Sequence, residues 1–190
     1  GMLCSEAELE IGSDATGIMQ LSPDLVLGQP LEEALNLEDT VLDVNVTPNR
    51  PDCLSMIGIA REAAALTGKK MKMPDVKVRE SAQDVSLLSS VTIEDADLCP
   101  RYTARLIQNV TIGGTPVWMK TRLERAGIRS ISAVVDVTNY VMLELGQPMH
   151  AYDARHLDGA LVVRFARPGE TLTLLNGDVL ELEADLLLVC

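Results

Sequence analysis

Aromatic side chains are scarce in this chain of 190 residues. They make up 3% of it, with one tryptophan and one phenylalanine. A core must then be built from Leu, Val, Ile, Ala and Met, which supply most of a hydrophobic content of 47%. Positive charge is also in deficit, with 16 Lys and Arg against 28 Asp and Glu, a net charge of −12. Taken alone, that balance argues against a broad nucleic-acid-binding face, because phosphate contacts need basic surface. No apolar run approaches the ~20 residues of a membrane span. The start, "GMLCSEAELE", lacks the basic-then-apolar order of a secretory signal. The cysteines at 4, 53, 99 and 190 have neither CxxC nor Cys/His spacing, which argues against a metal centre. Reduced cytoplasmic thiols are expected, three of them as small core fillers. GxSxG, Walker A, GxGxxG and HExxH motifs are all missing.

What is present reads as short elements divided by turn residues. Residues 1–33 are acidic and broken by "SDATG", "SPD" and "GQP", too fragmentary to form a core of their own. In "TVLDVNVTPNRPDC", Leu42, Val44 and Val46 alternate with Val41, Asp43, Asn45 and Thr47, which predicts a half-buried strand ended by Pro48 and Pro51. A helix follows through "PDCLSMIGIAREAAALTG", with Asp52 as N-cap, Gly68 as stop, and Leu54, Ile57, Ile59, Ala60 and Ala64 as its apolar stripe. Asn49 and Arg50 are assigned to fixing the turn between them. The charged stretch 69–84 reads as a linker, with a domain boundary near residue 80.

Beyond it, strands are expected over 84–95 and 101–112. A helix is expected over 115–127, with Thr115 as cap, Pro116 at its first position and Gly127 at its end. A second runs over 132–146, with Ser132 as N-cap and Gly146 as stop. Strands follow at 160–166, 170–175, 178–184 and 186–189, the middle two joined by an Asn176-Gly177 hairpin turn. The fold class is α+β, mixed strands with two or three packed helices. The chain stops at Cys190 within an apolar run, the pattern of a truncated fragment.

Few residues are candidates for chemistry. His150 follows Pro148 in the loop after the second helix, and histidine titrates near neutrality. The plain reading is a loop histidine bonded to a carbonyl. Thr138 and Asn139 lie inside a helix although both compete with the helical backbone for hydrogen bonds. Such local conflicts gather at functional sites, but Asn139 can equally cap a break or face water. Asp136 either shares its face or is a solvated charge. Arg129 either binds the carbonyls ending the first helix or clamps a phosphate or carboxylate. His156 reads as a surface residue.

Two long segments carry a resemblance. "VNVTPNRPDCLSMIGIAREAAALTG" (44–68) resembles part of the first domain of bacterial phenylalanyl-tRNA synthetase β subunits, and "GIRSISAVVDVTNYVMLELGQPMHAYD" (127–153) resembles the signature of their editing module. "GMLCSEAELEIG" is similar to the end of their inserted OB-fold, which binds tRNA. The resemblance implies three segments: 1–33, the remnant of that insert; 34–80, part of the first domain; and 81–190, the N-terminal half of the editing module. It implies an (αβ)2 enzyme that charges tRNA(Phe) with phenylalanine. ATP and Mg2+ are used outside this region, and no cofactor is held within it. This region would contribute to hydrolysis of mischarged Tyr-tRNA(Phe). Thr138, Asn139 and His150 would then line the editing pocket, with Arg129 and Pro148 helping to hold the end of the tRNA. The glycine-rich stretch and glutamate that recognise the tyrosine hydroxyl would fall beyond Cys190, leaving half a pocket that is inactive alone. The other reading is a structural or tRNA-positioning segment of the same subunit.

Overall fold

The computed structural model describes residues 2–174 and 176–190. Its elements in chain order are α1 (Leu31–Ala34), α2 (Met56–Thr67), β1 (Val91–Ile93), α3 (Val117–Arg125), α4 (Ala133–Leu145), β2 (Leu161–Phe165), β3 (Thr171–Thr173), β4 (Val179–Glu181) and β5 (Leu187–Val189). Short 3-10 turns occupy Pro51–Cys53, Val85–Leu87 and Ala154–His156. This is a mixed α+β arrangement with two small sheets. Its contacts form two units that interleave along the chain, 1–74 with 112–151 and 75–111 with 152–190.

The first unit is helical. Both α2 and α3 pack on α4, and Leu35, Met119 and Leu123 are its buried apolar side chains. The amphipathic stripe of α2 differs from expectation. Leu54 precedes the helix and is exposed, while Gly58 is the buried residue of α2. A Cβ on Gly58 would lie 1.7 Å from the Asp52 carbonyl oxygen. Hydrogen in place of a side chain is thus what lets the helix seat against the turn before it.

That turn corrects the expected start of the helix. Asp52 lies in the 3-10 turn, and the N-cap is Ser55, whose hydroxyl accepts from the Gly58 amide at 3.2 Å. Proline favours the start of any tight turn with φ near −60°, so Pro51 opens the 3-10 segment rather than α2. Asn49 and Arg50 do fall at this junction, as expected, and Arg50 fixes it by bonding Asp52 and Glu62. Among the described residues the expected strand over 41–47 has no paired neighbour, and it is not a strand. Alternation gives a segment two faces, but a strand also needs a ladder partner for its N–H and C=O groups.

At α3 the first helical residue is Val117, and Pro116 is the cap without a side-chain bond. Thr115 does not cap it, because its hydroxyl is committed to Asp136. The limits of α4 are as expected: Ser132 accepts from the Val135 amide, and Gly146 ends the helix with φ +74. Gly146 also abuts the Ser55 side chain, which a Cβ would approach to 3.3 Å.

The second unit is built on a three-stranded sheet in the order β1-β2-β5. β1 runs parallel to β2, with Thr92 opposite Val162, and β5 runs antiparallel, with Leu188 opposite Arg164. Leu161, Val163 and Ala166 are its buried apolar residues. Of the two strands expected over 84–95 and 101–112, only Val91–Ile93 pairs, and 101–112 is not a strand. The hairpin is found where expected. Leu172 faces Leu180 across β3 and β4, and Gly177 takes φ +91 in the turn. Leu175, placed in the first of these strands by sequence, lies outside the described residues.

Cys4, Cys53 and Cys99 are only half-buried and Cys190 is exposed, so they are not the closed core fillers expected. The apolar content as a whole is spent less on burial than 47% suggests. Six apolar side chains are buried among the described residues, while Leu27, Leu66 and Leu87 stand open to solvent.

One buried charge is satisfied within the sheet. Arg164 on β2 donates to both carboxylate oxygens of Glu170, at 2.8 and 2.7 Å, and to the Phe165 carbonyl. The Arg164 guanidinium and then the Arg167 amide hold the Glu170 carboxyl down to about 2 from 4.5. The folded state therefore binds this proton less readily than the unfolded chain. Its stabilising contribution is complete above about pH 4.5 and disappears as pH falls toward 2. Glu170→Gln is expected to flatten that part of the curve of urea midpoint against pH, and to lower the midpoint near neutrality. An unchanged curve would remove the pair from the acid response.

Candidate functional site

The candidate residues lie along α4 and the loops at its two ends. Asp136 fixes the geometry at its start. It is completely buried one turn inside α4. Its carboxylate accepts from the Thr115 and Ser130 hydroxyls, each at 2.5 Å, and from the Ile131 amide at 2.9 Å. It thereby ties three things together: the approach to α3 at Thr115, the link between helices and the first turn of α4. Burial, the largest single influence, pushes its carboxyl up. The bonds from Ser130, Thr115 and the Ile131 and Ser132 amides outweigh it, and the group lies below its ordinary 3.8. Asp136 is thus neither a solvated charge nor a free catalytic carboxylate. The sequence held one signal for it, an acid in the first turn of a helix, where the exposed amides and dipole favour negative charge.

Asn139 follows three residues later, on the same side of α4. It is half-buried, and among the described residues its side chain makes no hydrogen bond. The helix runs unbroken from Ala133 to Leu145, so Asn139 caps no break. Thr138 is half-buried and donates to the Val135 carbonyl at 2.7 Å, one turn back. That local bond lets a threonine sit in a helix interior.

Arg129 is exposed in the link, and among the described residues it bonds none of the carbonyls ending α3. Pro148 and His150 are exposed in the loop after Gly146, where Gln147 donates to the Pro148 carbonyl at 3.1 Å. Thr138 and Asn139 are adjacent; the two loops depart from the ends of α4, which lie about 20 Å apart at 1.5 Å per residue.

Two further groups were not foreseen as candidates. On α3 and α4, Trp118 meets Tyr140 edge to face with ring centroids 5.3 Å apart. Arg122 lies over the Trp118 ring at 5.6 Å and donates to the Tyr140 hydroxyl at 2.9 Å. At the start of α2, the Asp52, Cys53 and Glu62 ligand atoms lie within 4.8 Å of one another. The Arg50 guanidinium already serves that group. It bonds Glu62 at 2.6 Å, Asp52 at 2.8 Å and the Cys53 sulfur at 3.3 Å, and it holds Asp52 down to about 2.

Residues 98–190, which include α3, α4 and strands β2 to β5, match the B3/4 domain family. The chain is strongly homologous along its length to phenylalanyl-tRNA synthetase β subunits. It is 55% identical over 191 residues to the phenylalanine–tRNA ligase β subunit of Syntrophus aciditrophicus and 52% identical over 190 to that of Anaeromyxobacter dehalogenans. Each alignment covers all of this chain and 24% of the relative. With the Geobacter sulfurreducens β subunit it shares 52% over 178 residues, 93% of this chain and 22% of the relative. The chain therefore spans about a quarter of the length of the relatives it matches. No helix among the described residues is long and apolar enough to cross a membrane.

Proposed function

We propose that this chain serves a phenylalanyl-tRNA synthetase β subunit in hydrolytic editing of Tyr-tRNA(Phe). The whole enzyme would be an (αβ)2 assembly in the cytoplasm that joins phenylalanine to tRNA(Phe) using ATP and Mg2+ elsewhere. Residues 1–33 would belong to its tRNA-binding insert, 34–80 to its first domain and 81–190 to the first half of the editing module. The observation that carries the reading is the half-buried Thr138–Asn139 pair. It sits midway along a helix whose entry is clamped by Asp136 and whose exit leads to Pro148 and His150.

An editing step has a clear physical motive. Tyrosine is phenylalanine plus one hydroxyl, and an apolar pocket rejects an added hydroxyl by only about 10². Removal afterwards is ester hydrolysis. Water adds to the ester carbonyl, the bond to the terminal ribose oxygen breaks, and tyrosine and a free 3′ end leave. Such a reaction needs a held RNA end, a positioned water and hydrogen bonds to the developing oxyanion. The Asn139 amide offers both donors and an acceptor. His150 supplies an imidazole that can take or steer a proton. Pro148 restricts the loop that carries it, and Arg129 offers an exposed guanidinium for phosphate.

The ~20 Å between the ends of α4 favours a second reading, a non-catalytic segment that positions tRNA. Deacylation of Tyr-tRNA(Phe) by the complete αβ enzyme separates the two. His150→Ala and Arg129→Ala are each expected to slow tyrosine release at least about tenfold, the low end for an acid–base or positioning group, with phenylalanine charging unchanged. Full editing by both variants would leave the positioning role.

A further inference from the structure

A local excess of positive charge lies on α3 and its exit. Residues 115–131 hold Lys120, Arg122, Arg125 and Arg129 against one acid, Glu124, in a chain of net charge −12. Two of these cations are consumed internally. Lys120 pairs with Glu6 at 2.6 Å, and Arg125 pairs with Asp39 and the Leu37 carbonyl. Arg122 and Arg129 are exposed and form no ion pair among the described residues. Beside Arg122 stands the chain's one tryptophan, 43% exposed, its ring buttressed by Tyr140 and its charge partner already in place. Most large side chains that reach solvent here are flexible aliphatics. Trp118 is a fixed ring, held on one edge and next to a positive charge that no carboxylate among the described residues neutralises.

A flat ring with an adjacent guanidinium is the chemistry that takes an unpaired nucleobase and its phosphate. Other partners fit less well. An acidic polypeptide would use the charges but not the ring, and an apolar protein face would not leave two arginines without carboxylates. We propose that Trp118 and Arg122 form a stacking site for single-stranded RNA, with Trp118 receiving a base and Arg122 the neighbouring phosphate. Tyr140, which orients both, directly follows Asn139 on α4. The site thus adjoins the segment assigned above to the RNA end. It rests on that assignment only for which RNA is bound; binding itself is measured without any hydrolysis.

The test is titration of the full chain with an unstructured oligoadenylate, with a duplex RNA of equal length and with polyglutamate as comparisons. Trp118 is the one tryptophan, so its fluorescence reads the ring directly. Oligoadenylate is expected to quench it, and the duplex and polyglutamate to leave it unchanged. By fluorescence anisotropy of labelled RNA, Trp118→Ala and Arg122→Gln are each expected to weaken binding about tenfold, and Trp118→Phe to retain most of it. The Arg122→Gln site is exposed, so that variant stays informative if Trp118→Ala does not fold. Equal binding by wild type and Arg122→Gln overturns the proposal, as does quenching by polyglutamate equal to that by RNA; the latter reassigns the patch to an acidic protein. If these variants bind RNA normally while His150→Ala still abolishes editing, the stacking site alone is wrong.

Discussion

Asp136→Ala is expected to lower the unfolding free energy by about 3 kcal/mol, read as a drop in urea midpoint with unchanged slope. The substitution does more than delete three hydrogen bonds. It leaves the Thr115 and Ser130 hydroxyls and the Ile131 amide facing a buried gap, and donors without an acceptor cost about 1–3 kcal/mol apiece when water cannot reach them. Asp136→Asn should cost less, because its amide oxygen keeps one acceptor and the two hydroxyls can turn to accept from its NH2 group. The charge has its own signature. Its carboxyl lies below the ordinary 3.8 in the folded chain, so protonation favours unfolding. The contribution is complete above about pH 4 and declines as pH falls further. Wild type and Asp136→Asn should therefore converge in acid and separate at neutrality. Equal stabilities at pH 7 would sink the assignment of Asp136 as the clamp of the α3–α4 link.

Gly58→Ala is expected to destabilise the chain by about 3 kcal/mol, opposite in sign to the usual outcome. Within a helix, replacing glycine by alanine ordinarily stabilises by about 1 kcal/mol. Here the new methyl would meet the Asp52 carbonyl at 1.7 Å. Either α2 shifts away from the turn or the turn opens, and the second movement pulls Asp52 off Arg50. Thermal unfolding followed by circular dichroism checks this. A Gly58→Ala chain as stable as wild type would mean that the turn before α2 is loosely held.

The termini of α4 were legible because their determinants are local. Ser132 bonds an amide three residues on, and only glycine enters the left-handed region without strain at Gly146. The β3–β4 hairpin was legible for the same reason, its turn being set by Asn176 and Gly177. The start of α2 was misread although it too is local, because a proline opens a 3-10 turn as readily as an α-helix. The strand signals at 41–47 and 101–112 failed differently. Alternation records that a segment has two faces, and nothing in it says whether a ladder partner is available.

Sequence by itself determined the kinship and the set of candidate residues, since 55% identity over the whole chain needs no coordinates. It also determined the α+β class and the capped ends of α4. Tertiary structure decided the rest. It made Asp136 a buried clamp instead of a surface charge, gave Gly58 its place against Asp52, and set Trp118 beside Arg122 and Tyr140. Each of these joins residues from separate elements, up to 22 positions apart between Trp118 and Tyr140. Periodicity and caps report a residue's relation to its own turn or strand. Which side chains from other elements meet it depends on packing that no local pattern encodes.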